Sequence, residues 1–165
     1  MGFQSSFNQL LATASAGALG YKHIKGQKEA NEMAAWKEAS NISEEGHELH
    51  SQALENKQLT DKTNKEMAGA KLQRDLDKTH FSEYVTQNAP LSKGQKQYAK
   101  KLMNNVSAQA RAVENYQMEL NKLEVRRQTL VDRREILKGR MESAPESVSS
   151  KIPNKIKENV IGGKK

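Results

Sequence analysis

Apolar side chains recur through residues 92–141 in alternating steps of four and three. Leu102, Gln109, Tyr116, Leu123, Leu130 and Leu137 form one series spaced by seven. Val106, Val113, Leu120, Arg127, Arg134 and Met141 form a second, offset by four, and nine of the twelve positions are apolar or tyrosine. That alternation is the a/d stripe of a helix burying one narrow face against another helix. The seam is expected to run through Leu102, Val106, Val113, Tyr116, Leu120, Leu123, Leu130 and Leu137. Over residues 95–142 the helix would extend about 70 Å, too long for a compact domain of this chain length.

Residues 26–88 predict a second long helix, more polar than the first. Ala35, Ala39, Ile42, Gly46, Leu49 and Ala53 form a seam of small and medium residues, with Trp36 placed to anchor it. Only Leu59 is apolar between Glu55 and Glu66, so that segment offers no burying face and is left to helix propensity and charge pairs. Met67, Ala70, Leu72 and Leu76 restart a stripe that Phe81, Tyr84 and Val85 close. Pro90 disfavours the α conformation at Ala89 and cannot donate to the preceding turn, so residues 89–94 read as a turn. Ser92 with Gln95 has the form of a capping box opening the next helix. Two long helices joined by a short turn predict an antiparallel hairpin.

The two ends differ from this pattern. Ser6 and Gln9 form a capping-box signal, and from Leu10 to Tyr21 there is no charge. Residues 1–25 therefore predict a short apolar helix, with Ala12, Ala16 and Gly20 four apart on a small-residue face that lets helix backbones approach closely. Its run of about 12 apolar residues is short of the 20 or so that span a bilayer. Its cations follow it, where a secretory signal carries them ahead. Met1–Ser6 fits the loose myristoylation pattern poorly, with bulky Phe3 beside Gly2. Two outcomes remain for this segment: packing in a bundle of identical helices, or conditional insertion as an oligomer. Leu10, Leu11, Ala12, Ala16, Leu19 and Gly20 are the expected membrane or oligomer contacts. At the other end, Gly139 and Ala144-Pro145 end the heptad helix, and residues 143–165 are expected to form a flexible basic tail. Within it Ile152, Ile156 and Val160 stand four apart, a pattern that also suits a docking segment ordering on a partner. The fold class is thus all-α: a long antiparallel helical hairpin or coiled coil, a short apolar N-terminal helix and a flexible C-terminal tail.

Composition supports extended helices over a globule. The 165 residues are 35% hydrophobic, 5% aromatic and 28% charged, and large apolar residues are too few for an ordinary core. Without cysteine, disulfides and thiolate chemistry are excluded. The net charge of +7 is uneven. Residues 1–90 carry 10 Lys/Arg against 12 Asp/Glu, whereas residues 91–165 carry 17 against 8. That asymmetry suits a polyanionic partner at the C-terminal half, or a soluble coiled coil with a lysine-rich tail. Arg126, Arg127, Arg133 and Arg134 are the candidate phosphate or anionic contacts. Arg127 and Arg134 fall on the seam, where unpaired burial would cost several kcal/mol. Either the helices splay there, or those guanidiniums meet phosphates or acidic partners such as carboxylates of the first helix. No aromatic residue interleaves them, which disfavours base stacking.

Catalytic chemistry has little support. His47 and His50 lie three apart among Glu44, Glu45 and Glu48, but without the HExxH spacing, and solvated surface is their expected role. Phosphate-binding glycine loops and nucleophile motifs are missing, and the two Asn-x-Ser matches at Asn41 and Asn105 fall on expected helices. The expectation is a non-enzyme with no cofactor and no metal.

The order of parts resembles the small internal, or ejection (pilot), proteins of short-tailed bacterial viruses. The resemblance rests on the Ala/Gly-rich segment Leu10–Tyr21, the Gln/Asn/Ala/Glu-rich helix Gly26–Ala53 and the basic C-terminal end. It is a likeness of layout, and no stretch is a specific motif. It implies a minor virion protein, held inside the particle, that oligomerises with itself and other virion proteins and helps the genome through the host envelope. Its implied contacts include the host membrane and the nucleic-acid backbone. The same sequence fits two other descriptions: a cytoplasmic coiled-coil scaffold, or a non-specific nucleic-acid-binding protein.

Overall fold

The structure, a computed structural model, describes residues 21–162 of the chain. Every regular element among them is helical: α1 (Tyr21–Asn88), α2 (Lys93–Ser143), α3 (Glu146–Ser149) and α4 (Asn154–Val160). The expected N-terminal contacts Leu10, Leu11, Ala12, Ala16, Leu19 and Gly20 lie outside the described residues. The 68 residues of α1 and the 51 of α2 are rich in Ala, Glu, Gln, Lys and Leu, which lose little conformational freedom in a helix.

The described residues divide into two compact units, one formed by residues up to Ala53 together with those from Thr129 onward, the other by Leu54–Gln128. In the first, α1 contributes the small-residue seam Ala35, Ala39, Ile42 and Leu49, and α2 contributes Leu130, Leu137 and Met141. Val148, Ile152 and Val160 complete the same core, with Ala144 and Ile156 packed against it. Ile42 and Leu137 are fully buried. Residues 143–162 are therefore not the flexible tail expected from their polarity. They fold back and fill the groove above the small residues of α1. Gly46 makes that approach possible: a Cβ there would stand 2.9 Å from Ile156 Cγ2 and 3.3 Å from Val160 Cγ2. Pro145 and Pro153 do not prevent helix here, because each sits immediately ahead of a helix, where its missing N–H has no helical bond to lose.

The second unit is built differently. Ala99, Leu102, Val106 and Leu123 of α2 are buried, while α1 answers with Asn56, Thr63 and Ala70. Val113, Tyr116 and Leu120 are half-buried. The Asn56 amide donates to the Leu123 carbonyl at 3.2 Å, and Tyr84 meets Tyr98 edge-on with centroids 4.7 Å apart. Within this unit the two helices therefore contact in opposite directions. The segment from Glu55 to Glu66 stays helical on a polar seam instead of an apolar one, and Leu59, its one apolar residue, is exposed. At the end of α1 the Asn88 amide donates to the Tyr84 carbonyl at 2.8 Å. The Ser92 N–H donates to Gln95 Oε1 at 2.9 Å and the Gln95 N–H to Ser92 Oγ at 3.3 Å, a reciprocal cap opening α2.

Candidate assembly surface

The arginines marked by the sequence are largely occupied by the chain itself. Arg127 makes a bidentate pair with Glu124 on its own helix, at 2.7 and 2.9 Å. Those hydrogen bonds hold the Glu124 carboxyl below the usual carboxylate range and push the Arg127 guanidinium up. Arg126 reaches Glu55 at 3.4 Å, an exposed pair of small energetic weight. Arg134 donates through Nε to the Val160 carbonyl at 3.1 Å. The last carbonyls of a helix lack intrahelical partners and carry partial negative charge, so this guanidinium caps α4. Arg133 is half-buried. Arg140, outside the sequence candidates, bridges Glu38 at 3.0 Å and Glu45 at 2.9 Å, two turns apart on α1. The Glu38 hydrogen bond leads in raising its pKa. The heptad interruption at Arg134 thus marks the arrival of α4, and no seam arginine is buried without a partner. In the same unit Lys151 stands 2.9 Å from Glu32 and 5.5 Å above the Trp36 ring, which fastens the C-terminal segment to α1.

Part of what the chain leaves exposed is apolar. In the second unit Leu72 is 63% exposed and Leu76 56%, one turn apart on α1. They centre a row of exposed residues, Lys65, Gly69, Leu72, Leu76, Thr79 and Glu83, in steps of four, three, four, three and four. The row is its own complement. A two-fold axis at the level of Arg74 would set Leu72 against Leu76 of a second copy, Gly69 against Thr79 and Lys65 against Glu83. Nothing lies within 4 Å of a Cβ built on Gly69, so a second helix can approach closely there. The sequence exposes Leu72 and Leu76 as apolar, but the spacing does not reveal that Ala70, and not they, faces α2.

His47 and His50 are exposed, and no group of three or more His, Asp or Glu among the described residues is placed to hold a metal ion. No helix among the described residues is long and apolar enough to cross a membrane. Comparison with known proteins shows no family: no family model matches the chain, and no curated protein and no solved structure matches it.

Proposed function

We propose that the chain is a non-enzymatic helical assembly protein that self-associates, serving as a minor internal virion component in genome delivery through the host envelope. In this reading α1 and α2 act as an antiparallel helical hairpin, the α4 clasp fixes one unit, and the Leu72–Leu76 face of the other joins copies. The observation that carries it is the self-complementary exposed row from Lys65 to Glu83. Its two leucines lie exposed one turn apart at the centre of the row, and its charges have opposite signs at symmetry-related positions. The virion setting is supported by the layout of the sequence, with its apolar small-residue segment ahead of α1.

Sedimentation equilibrium of the full chain tests the assembly. Wild type is expected to associate with rising concentration, and Leu72→Asp/Leu76→Asp to remain monomeric. Lys65→Glu is expected to weaken association and Lys65→Glu/Glu83→Lys to restore it. A wild-type chain that stays monomeric, as an adaptor for foreign helices would, overturns the proposal. For envelope passage, dye leakage from liposomes is expected only while residues 1–25 are present. Absence of leakage from the full chain removes the membrane part.

A further inference from the structure

Arg133 and Lys138 apart, the cations of the Arg126–Arg140 cluster are held within the chain, and a second group that the chain does not neutralise lies away from it. Between Glu83 and Glu114 there is no Asp or Glu, while Lys93, Lys96, Lys100, Lys101 and Arg111 all fall in that interval. None of these five takes part in the ion pairs formed among the described residues. By contrast Arg126, Arg127, Arg134 and Arg140 are each held by an oxygen of the chain.

Their placement is regular. Lys93, Lys96, Lys100, Asn104, Ser107 and Arg111 succeed one another along α2 in steps of three, four, four, three and four, and all are exposed. Eighteen residues are five helical turns, so the row runs straight for about 27 Å. It lies roughly 130° around the helix from buried Ala99, Leu102 and Val106, at 3.6 residues per turn. Lys93 and Lys96 also stand in the first turn, at the positive end of the helix dipole, and α2 has no acidic residue there to offset them. A bound anion relieves both repulsions.

We propose that this row is a binding track for the phosphate backbone of nucleic acid, read without regard to sequence. Every position in it offers a cation or a hydrogen-bond donor. Met103, 42% exposed, is the one large apolar side chain bordering the row, and a single methionine falls short of the apolar face that a lipid surface or a protein interface is built around. Tyr98, the aromatic residue within this stretch, is turned toward Tyr84 on the other side of the helix, so bases find no stacking platform. The track lies on α2 and the assembly face on α1, so backbone binding does not require self-association.

Fluorescence anisotropy of the full chain with labelled duplexes of two unrelated sequences tests this. Equal binding to both is expected, with log K falling against log salt at a slope near −3.6 for four backbone contacts. Lys93→Gln/Lys96→Gln/Lys100→Gln is expected to flatten the slope by about 2.7 and weaken binding about 100-fold at low salt. A control that removes the same charge elsewhere, Lys57→Gln/Lys62→Gln/Lys122→Gln, is expected to stay within about 3-fold of wild type. All six lysines are exposed, and circular dichroism checks that helix content is kept. Three results would overturn the proposal: no duplex binding by wild type, equal losses in test and control variants, or capture by phosphatidylserine vesicles with no binding to duplex.

Discussion

Gly46 is where the packing of the C-terminal segment can be tested most sharply. In a helix interior, Gly→Ala ordinarily stabilises by up to about 1 kcal/mol, because glycine has more backbone freedom to lose. Gly139 provides that baseline: it lies within α2 in the same unit, with nothing within 4 Å of a built Cβ. At Gly46 the new methyl would stand 2.9 Å from Ile156 Cγ2, 3.3 Å from Val160 Cγ2 and 3.6 Å from Leu137 Cδ2. Ile156 and Val160 are β-branched and stiff about χ1, so they cannot swing aside and α4 must shift instead. Overpacking of this kind costs about 1–3 kcal/mol, which outweighs the propensity gain. Undocking α4 altogether would expose buried Val160 and half-buried Ile156, with about 1.5–3 kcal/mol at stake for a fully buried side chain of this size, so displacement is the cheaper response. Gly46→Ala is therefore expected to be less stable than Gly139→Ala by about 1–3 kcal/mol. Urea unfolding followed by helical circular dichroism measures the difference. Trp36, the one tryptophan, reports on the Lys151 contact through its fluorescence. Ile156→Ala removes the atom in the way, so a double-mutant cycle should return a coupling of about 1 kcal/mol or more. Equal stabilisation at both glycines, or no coupling to Ile156, would refute the packing argument.

Two further expectations concern the second unit. Asn56 is buried, its amide bonded to the Leu123 carbonyl and its Oδ1 without a partner, so Asn56→Leu is expected to raise stability by about 1 kcal/mol. The same change should loosen the register that the buried amide imposes between α1 and α2, read as faster amide hydrogen exchange across the second unit. Glu124 should titrate below the ordinary glutamate value in carboxyl NMR, and Arg127→Gln should bring it back up. Because its folded pKa is lowered, its contribution is present above the unfolded carboxylate pKa and is lost as pH falls through the folded value.

Much of α2 is legible from spacing alone, because Leu102, Val106, Leu123, Leu130 and Leu137 are large, apolar and buried, and heptad periodicity reports such positions. Its partner is not legible over the same length. From Asn56 to Ala70 the buried positions of α1 are an amide, a hydroxyl and a methyl group. Half-buried Met67 is the one large apolar side chain on that face, so a search for apolar periodicity reads it only in part. Leu59, Leu72 and Leu76 attract that search while standing in solvent. The C-terminal segment carried a correct signal in Ile152, Ile156 and Val160, overruled by two prolines and a run of serine and lysine. Its destination was open, since spacing says that a face is apolar and not what covers it. Gly46 held the missing information: a glycine in the middle of a helical seam weakens the helix unless another element needs its space.

Charge is the second quantity that sequence gives only as a sum. The C-terminal half has an excess of nine positive charges, and its densest run is Arg126–Arg140. Density proves a poor guide to availability, because arginine is the cation best suited to pairing within a fold. Its planar donors reach carboxylates two turns apart, as Arg140 does with Glu38 and Glu45, or a helix's last carbonyls, as Arg134 does with Val160. Lysines on a stretch with no carboxylate have no such outlet. Lys93, Lys96 and Lys100 therefore face solvent without a paired carboxylate, and it is there, on a face turned away from the seam, that the proposed polyanion would meet the least competition.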